Sequence, residues 1–150
     1  MTPSDLCIAW IRHSEGCTLV AKNDNGKCSI GYGHRGVPEG TVWTQEQAEA
    51  AFESDMAVAA KAVSSMVSVP LTQGQFDSLT DFVFNLGAGS LHGSTLLSLL
   101  NQGHYDDVPA QLMRWDHIGQ AVSPGLQARR TGDVILWNGG NPLESASTQG

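Results

Sequence analysis

Glu15, Asp24 and Ser29 are the residues of this chain whose types and spacing suit acid–base chemistry. A carboxylic acid can protonate a leaving oxygen, a second carboxylate can take a proton from water, and a hydroxyl can hold that water. Asn25-Gly26 brings the last two together. It is the strongest short hairpin signal, because a two-residue type I′ turn needs positive φ at both central positions. With that turn Asp24 faces Lys27, Asn23 faces Cys28 and Lys22 faces Ser29. Opposed residues share a face, as do residues two apart on one strand. Lys22, Asp24 and Ser29 then fall on one face, with Asp24 and Ser29 as diagonal neighbours. Such neighbours sit roughly 7–8 Å apart, which leaves room for one water between their oxygens. Two carboxyl groups and a held water are the working parts of a glycoside hydrolase.

Helices must carry the rest. Thr2-Pro3-Ser4-Asp5 predicts a helix start, with a cap residue, proline at the first position and an acid in the first turn. Leu6, Trp10 and His13 then recur at helical spacing, widened by Ile8 and Ile11, until Gly16 ends the helix with Glu15 at its edge. The hairpin is expected over Cys17 to Gly33. Thr44-Gln45-Glu46-Gln47 is a capping box opening a helix that carries Phe52, Met56, Ala59, Val63 and Met66 towards Pro70. At about 1.5 Å per residue it would be roughly 34 Å long, enough to join two lobes. Thr72-Gln73-Gly74-Gln75 is a second box, followed by Phe76, Leu79, Phe82, Val83 and Leu86, with Gly87 as the stop. Ser94 to Asn101 and Asp106 to Trp115 read as shorter helices, and Ser123-Pro124 caps a last one through Arg129, Arg130, Val134 and Leu136. The expected class is α+β, mainly α. Residues 1–140 would form one domain, with a hairpin lobe near 14–43, and residues 141–150 a flexible tail.

Glu15-x8-Asp24 followed by Ser29-Ile30-Gly31-Tyr32-Gly33-His34 resembles the active-site signature of phage-type lysozymes, endolysins related to the T-even phage enzyme. That family reads Glu-x8-Asp-x5-Thr before an Ile-Gly-Tyr-Gly-His run. Here the hydroxyl is Ser and the turn is one residue shorter. Leu71-Thr72-x-x-Gln75-Phe76-Asp77, Phe82-x-Phe84-Asn85-x-Gly87, Ser94-Thr95-Leu96-Leu97, Arg114-Trp115 and Pro124-Gly125-Leu126 before Arg129-Arg130 continue the resemblance. It implies a lysozyme-like fold, with a hairpin lobe and a helical lobe joined by the long helix and a glycan cleft between them. It also implies a muramidase that cuts the β-1,4 bond between N-acetylmuramic acid and N-acetylglucosamine with inversion. Glu15 would be the acid, Asp24 the base, and Ser29 the stand-in for the family's Thr. Tyr32, Asn85 and Ser94 would face substrate, one of Arg129 and Arg130 would approach Glu15, and His34 would pair with Asp55. No metal or other cofactor is implied.

Alone, each catalytic candidate has a plainer reading: Glu15 as a solvated helix end, Asp24 as a turn residue and Ser29 as a strand hydroxyl. Trp43, Trp115 and Trp137 suit packing better than sugar stacking. Eight Lys plus Arg against fifteen Asp plus Glu give a formal charge of −7, which offers no electrostatic reason to seek nucleic acid or anionic lipid. Peptidoglycan strands are the expected partner of a monomer. No stretch reaches the roughly 18 apolar residues of a membrane span, and the N-terminus lacks the basic start of a signal peptide. The expectation is a protein made in the bacterial cytoplasm and released by other means onto the periplasmic wall. Three cysteines cannot all pair within the chain and are expected as small buried thiols. Two rivals remain. A lytic transglycosylase needs one acid and no attacking water, and Asp24 and Ser29 speak against it. A glycan-binding domain without turnover is suggested by the shortened turn and the serine.

Overall fold

Helix α3 (Gln73–Leu86) is the axis of the molecule, with every residue from Phe76 to Val83 buried. The structure is a computed structural model describing residues 1–24 and 26–144. A helix enclosed on all sides must satisfy its polar groups internally. Ser78 Oγ donates to the Asp133 carbonyl at 2.8 Å and Thr80 Oγ1 to the Phe76 carbonyl at 2.8 Å. Asp77 accepts from the Ser4 hydroxyl and N–H, and Asp81 takes an arginine. Around α3 lie α2 (Gln45–Met66) and α7 (Pro124–Trp137), with α4 (Ala88–His92), α5 (Thr95–Asn101), a 3₁₀ turn (Tyr105–Asp107) and α6 (Val108–Leu112) closing the helical core. Both expected capping boxes are present, Thr44 with Gln47 and Thr72 with Gln75. The long helix α2 runs for 22 residues.

Helix α1 (Asp5–Glu15) starts two residues later than expected, with Ser4 as the cap rather than Thr2. The Ser4 hydroxyl accepts from Cys7 N–H at 3.2 Å while donating to Asp77, so one side chain caps α1 and ties it to α3. Its buried residues are Cys7, Trp10 and Ile11; Leu6 is only half-buried and His13 is exposed. The expected stripe was out of phase because Cys7, a small side chain that behaves as an apolar one, was left out of it. The cysteines are all free, and only Cys7 is buried; Cys28 is half-buried and Cys17 exposed.

The sheet consists of β1 (Thr18–Asp24), β2 (Lys27–Gly31) and β3 (His34–Arg35), all antiparallel in that order. Its pairs Lys22–Ser29, Asn23–Cys28 and Asp24–Lys27 are those the turn dictated, although Asn25 itself lies outside the described residues. A bulge then shifts the register, so that Thr18 pairs with Gly31. Ala21 and Ile30 form the buried face, and Trp43 and Ala48 close over Gly31. Residues 41–43 run along the outer edge of β1, where Ala21 N–H donates to Thr41 O and Trp43 N–H to Leu19 O.

Three short pieces were not anticipated. The helix expected over 106–115 divides into the 3₁₀ turn and α6, α4 was not anticipated, and β4 (His117–Ile118) pairs with β5 (Ala121–Val122) in a small hairpin. None is long enough to show a hydrophobic period. Of the expected tail, residues 145–150 lie outside the described residues. Residues 142–144 form a helical turn begun by Asn141, whose Oδ1 accepts from Leu143 N–H at 2.9 Å.

Candidate active site

Glu15 stands at the end of α1, four residues beyond Ile11 and eight beyond Cys7. Residues four apart lie on one face of a helix, so the row that buries those two side chains carries the carboxylate inward as well. Each turn of α1 is fastened. Ser4 binds α3, Trp10 rests on Gly132 of α7, and Arg12 forms an ion pair with Glu49 of α2 at 2.7 Å. Glu15 is thus set by three other helices, and its side chain is 18% exposed.

Both carboxylate oxygens of Glu15 meet a neighbour. Oε1 accepts from Arg129 Nη1 at 2.7 Å. Oε2 lies so close to Gly33 that a Cβ there would overlap it, and Gly33 has a φ of +77°, which a side chain would resist in any case. The carboxylate is therefore held where the helical core and the hairpin touch. Arg129 is fixed in turn by Asp81, which accepts from Nη2 at 2.7 Å and from Nε at 3.1 Å. Burial alone would loosen the proton on Arg129, but Asp81 and then Glu15 outweigh it and the guanidinium stays charged. Burial would likewise favour the neutral form of Asp81. Arg129 overcomes it and holds that carboxyl below the usual range.

On the sheet, Asp24 is exposed and Ser29 half-buried. Ser29 sits in the central strand, opposite Lys22 on one side and Arg35 on the other. Parity puts Lys22, Asp24, Lys27, Ser29 and Arg35 on one face, away from buried Ala21 and Ile30. Three of the chain's eight basic residues thus surround the two candidates, so an acidic protein carries a locally basic surface here.

The residues expected to meet substrate have other partners. Tyr32 stacks on Phe52 with ring centroids 4.9 Å apart. Its hydroxyl donates to Glu49 at 2.8 Å and accepts from Arg12 at 2.9 Å. The bond to Glu49, reinforced by burial, makes that hydroxyl harder to ionise. Ser94 caps α5, accepting from Leu97 N–H at 3.0 Å and donating to the Leu91 carbonyl at 2.7 Å. Asn85 is half-buried and accepts from Arg130 Nη2 at 2.7 Å, which leaves its amide N–H groups for other partners. His34 pairs with Asp55 at 2.8 Å, as the resemblance implied.

Residues 12–133 match the phage lysozyme family. The chain belongs to the phage lysozyme family. The Endolysin of Acyrthosiphon pisum secondary endosymbiont phage 1 is 36% identical over 140 residues, covering 89% of this chain and 96% of the relative. Among solved structures, the muramidase domain of SpmX from Asticcacaulis excentricus superposes with a TM-score of 0.81 at 31% identity, covering 89% and 95% of the two chains. A P22 lysozyme does so with a TM-score of 0.77 at 30% identity, covering 92% and 99%. As a phage lysozyme the protein is a glycoside hydrolase that degrades peptidoglycan, with an α+β, mainly α fold.

In this lysozyme, sequence reasoning left open which arginine approaches Glu15; it is Arg129, while Arg130 is wholly buried beside it. Asp81 was missed, although a signal existed. It is an acid beside Phe82 on a helix whose apolar residues recur on either side of it, four residues after Asp77. An acid in such a place needs a cation. Among the described residues no group of three His, Cys, Asp or Glu could hold a metal ion.

Proposed function

We propose that this lysozyme hydrolyses the β-1,4 bond between N-acetylmuramic acid and N-acetylglucosamine by a single displacement with inversion. Glu15 gives its proton to the glycosidic oxygen as the bond to the anomeric carbon breaks. Asp24 takes a proton from a water held with Ser29, and the water oxygen bonds to the anomeric carbon from the opposite side. The observation that carries this reading is the arrangement of Glu15 between Arg129 and Gly33, with Asp24 and Ser29 sharing the outward face of the adjoining hairpin. Asn85, steadied by Arg130, is the best candidate to contact the glycan; Tyr32 and Ser94 shape the walls through the bonds described above. The protein works as a monomer on periplasmic glycan strands. No helix among the described residues is long and apolar enough to cross a membrane.

Digestion of purified peptidoglycan, followed by NMR of the new ends, tests the proposal. Inversion at a β-linked carbon yields α-configured reducing N-acetylmuramic acid first. β-configured ends would replace inversion with retention, and 1,6-anhydro ends would identify a transglycosylase. Glu15→Gln keeps the shape but cannot deliver a proton, and its rate should fall by about 100- to 10,000-fold with folding kept. A variant retaining a tenth of the wild-type rate would remove Glu15 from the role of acid.

A further inference from the structure

We infer that Lys22, Lys27 and Arg35 form a carboxylate-binding border around the water site, and that it selects the acid-bearing sugar of the glycan strand. The inference rests on the muramidase reading above. Three strands bring these residues together. Lys22 pairs with Ser29 across β1 and β2, and Ser29 pairs with Arg35 across β2 and β3. The hydroxyl thus lies in the middle of a row with a cation at each end. Neighbouring strands are about 4.8 Å apart, which sets those two cations roughly 10 Å from each other at the backbone. Lys27 pairs with Asp24 further along the same face. The protein leaves these charges unused. All three side chains are exposed. Among the described residues, Arg12, Arg129 and Arg130 all pair with acids, and no ion pair involves Lys22, Lys27 or Arg35. Like charges gathered on one face repel each other, and an anion from outside would relieve that cost. In a chain with a formal charge of −7, such a cluster points to a ligand.

The reaction supplies the anion. Water held by Asp24 and Ser29 attacks the anomeric carbon of N-acetylmuramic acid, so that sugar, and not N-acetylglucosamine, lies over this face. The two sugars differ by one substituent, a lactyl ether on the third ring carbon of N-acetylmuramic acid, which ends in a carboxyl group. In the wall that carboxyl is joined to a stem peptide, which brings carboxylates of its own. The substituent leaves the ring sideways, two carbons from the one under attack, and so passes over the border of the water site where the cations stand. Lysine and arginine bind carboxylates by charge-assisted hydrogen bonds. A strand seated one sugar out of register would put N-acetylglucosamine over the water and leave all three cations without a partner. The border therefore sets the register of the strand as well as its affinity.

Kinetics of the full chain on three forms of one peptidoglycan test the inference: intact, stripped of stem peptides by an amidase, and with its carboxylates converted to amides by carbodiimide and ammonia. The variant carries Lys22→Gln, Lys27→Gln and Arg35→Gln together. Exposed charge pairs are worth up to about five-fold each, so it should lose about ten-fold or more in kcat/KM on the intact wall, mainly through KM. On the amidated wall the gap between wild type and variant should close to within about two-fold. A gap kept on stripped strands assigns the contact to the lactyl carboxyl, and a gap lost there assigns it to the stem peptide; both support the inference. No gap on the intact wall, or an equal gap on the amidated wall, would overturn it. Wild type alone gives a second reading that does not depend on how the variant folds. Added salt screens exposed charges, so it should raise the wild-type KM on the intact wall and not on the amidated one. A KM on the intact wall that ignores salt would overturn the inference. Failure of the muramidase reading appears separately, as N-acetylglucosamine at the new reducing ends.

Discussion

Glu15 is surrounded so closely that its neighbours can be tested one atom at a time. Gly33→Ala would put a methyl group against Oε2 and force a side chain into positive φ. Its kcat should fall about 100-fold or more, since displacement of a reacting group by an ångström is costly. A Gly33→Ala enzyme within three-fold of wild type would show that the contact has no role. Ser29 gives a second test, because a serine hydroxyl can bond as threonine's does but lacks the methyl group that stiffens χ1. Ser29→Ala should lose about ten-fold or more in turnover with little change in Tm, and Ser29→Thr should stay within about ten-fold of wild type. Full activity in Ser29→Ala would give the water to another group. The alignment of Asp24 with Ser29 was legible in advance, because a two-residue turn fixes parity along both strands and the observed pairs follow it. The choice between Arg129 and Arg130 was not. Adjacent helical residues point about 100° apart, and only the packing of α7 decides which one reaches α1.

Among the elements, α1 and α7 meet where Glu15 bonds Arg129 and again where Trp10 rests against Gly132. Any Cβ on residue 132 would overlap the indole ring. Alanine normally suits a helix better than glycine by about 1 kcal/mol. Here overlap should reverse the sign, and Gly132→Ala is expected to destabilise the protein by about 1–3 kcal/mol in urea unfolding. An increase in stability would mean that α1 can slide without cost. Elements with strong local signals were legible, above all α2 and α3, whose capping boxes are closed by side chains within four residues of each other. The start of α1 was misread because Thr2 and Ser4 are both good caps, and Asp77, distant in sequence, selects Ser4. The short helix α4 owes its form to α2 and α3, against which it packs, whereas β4 and β5 are exposed and turn through Gly119, which has a φ of +62°.

The whole molecule places its three thiols at three depths, and these report on it without added probes. Burial, helped by Asp77, pushes the Cys7 thiol up, so it stays neutral and unreactive. Native protein should react with a thiol reagent quickly at Cys17, more slowly at Cys28, and at Cys7 only with global unfolding. Rapid labelling of all three would mean that α1 opens independently. The same arrangement has a consequence for synthesis. The bond from Arg129 to Glu15 closes across 114 residues of chain. A ribosome adding about 5–20 residues per second finishes Glu15 roughly 6–23 s before it adds the guanidinium. During that interval the nascent polypeptide already contains Glu15, Asp24 and Ser29, yet lacks the arginine that bonds Glu15. A message cut short before α7 would yield the proposed catalytic residues without Arg129. With Glu15 as the proposed acid, α7 acts as a completeness check on α1, and fragments that lack α7 should show no hydrolase activity.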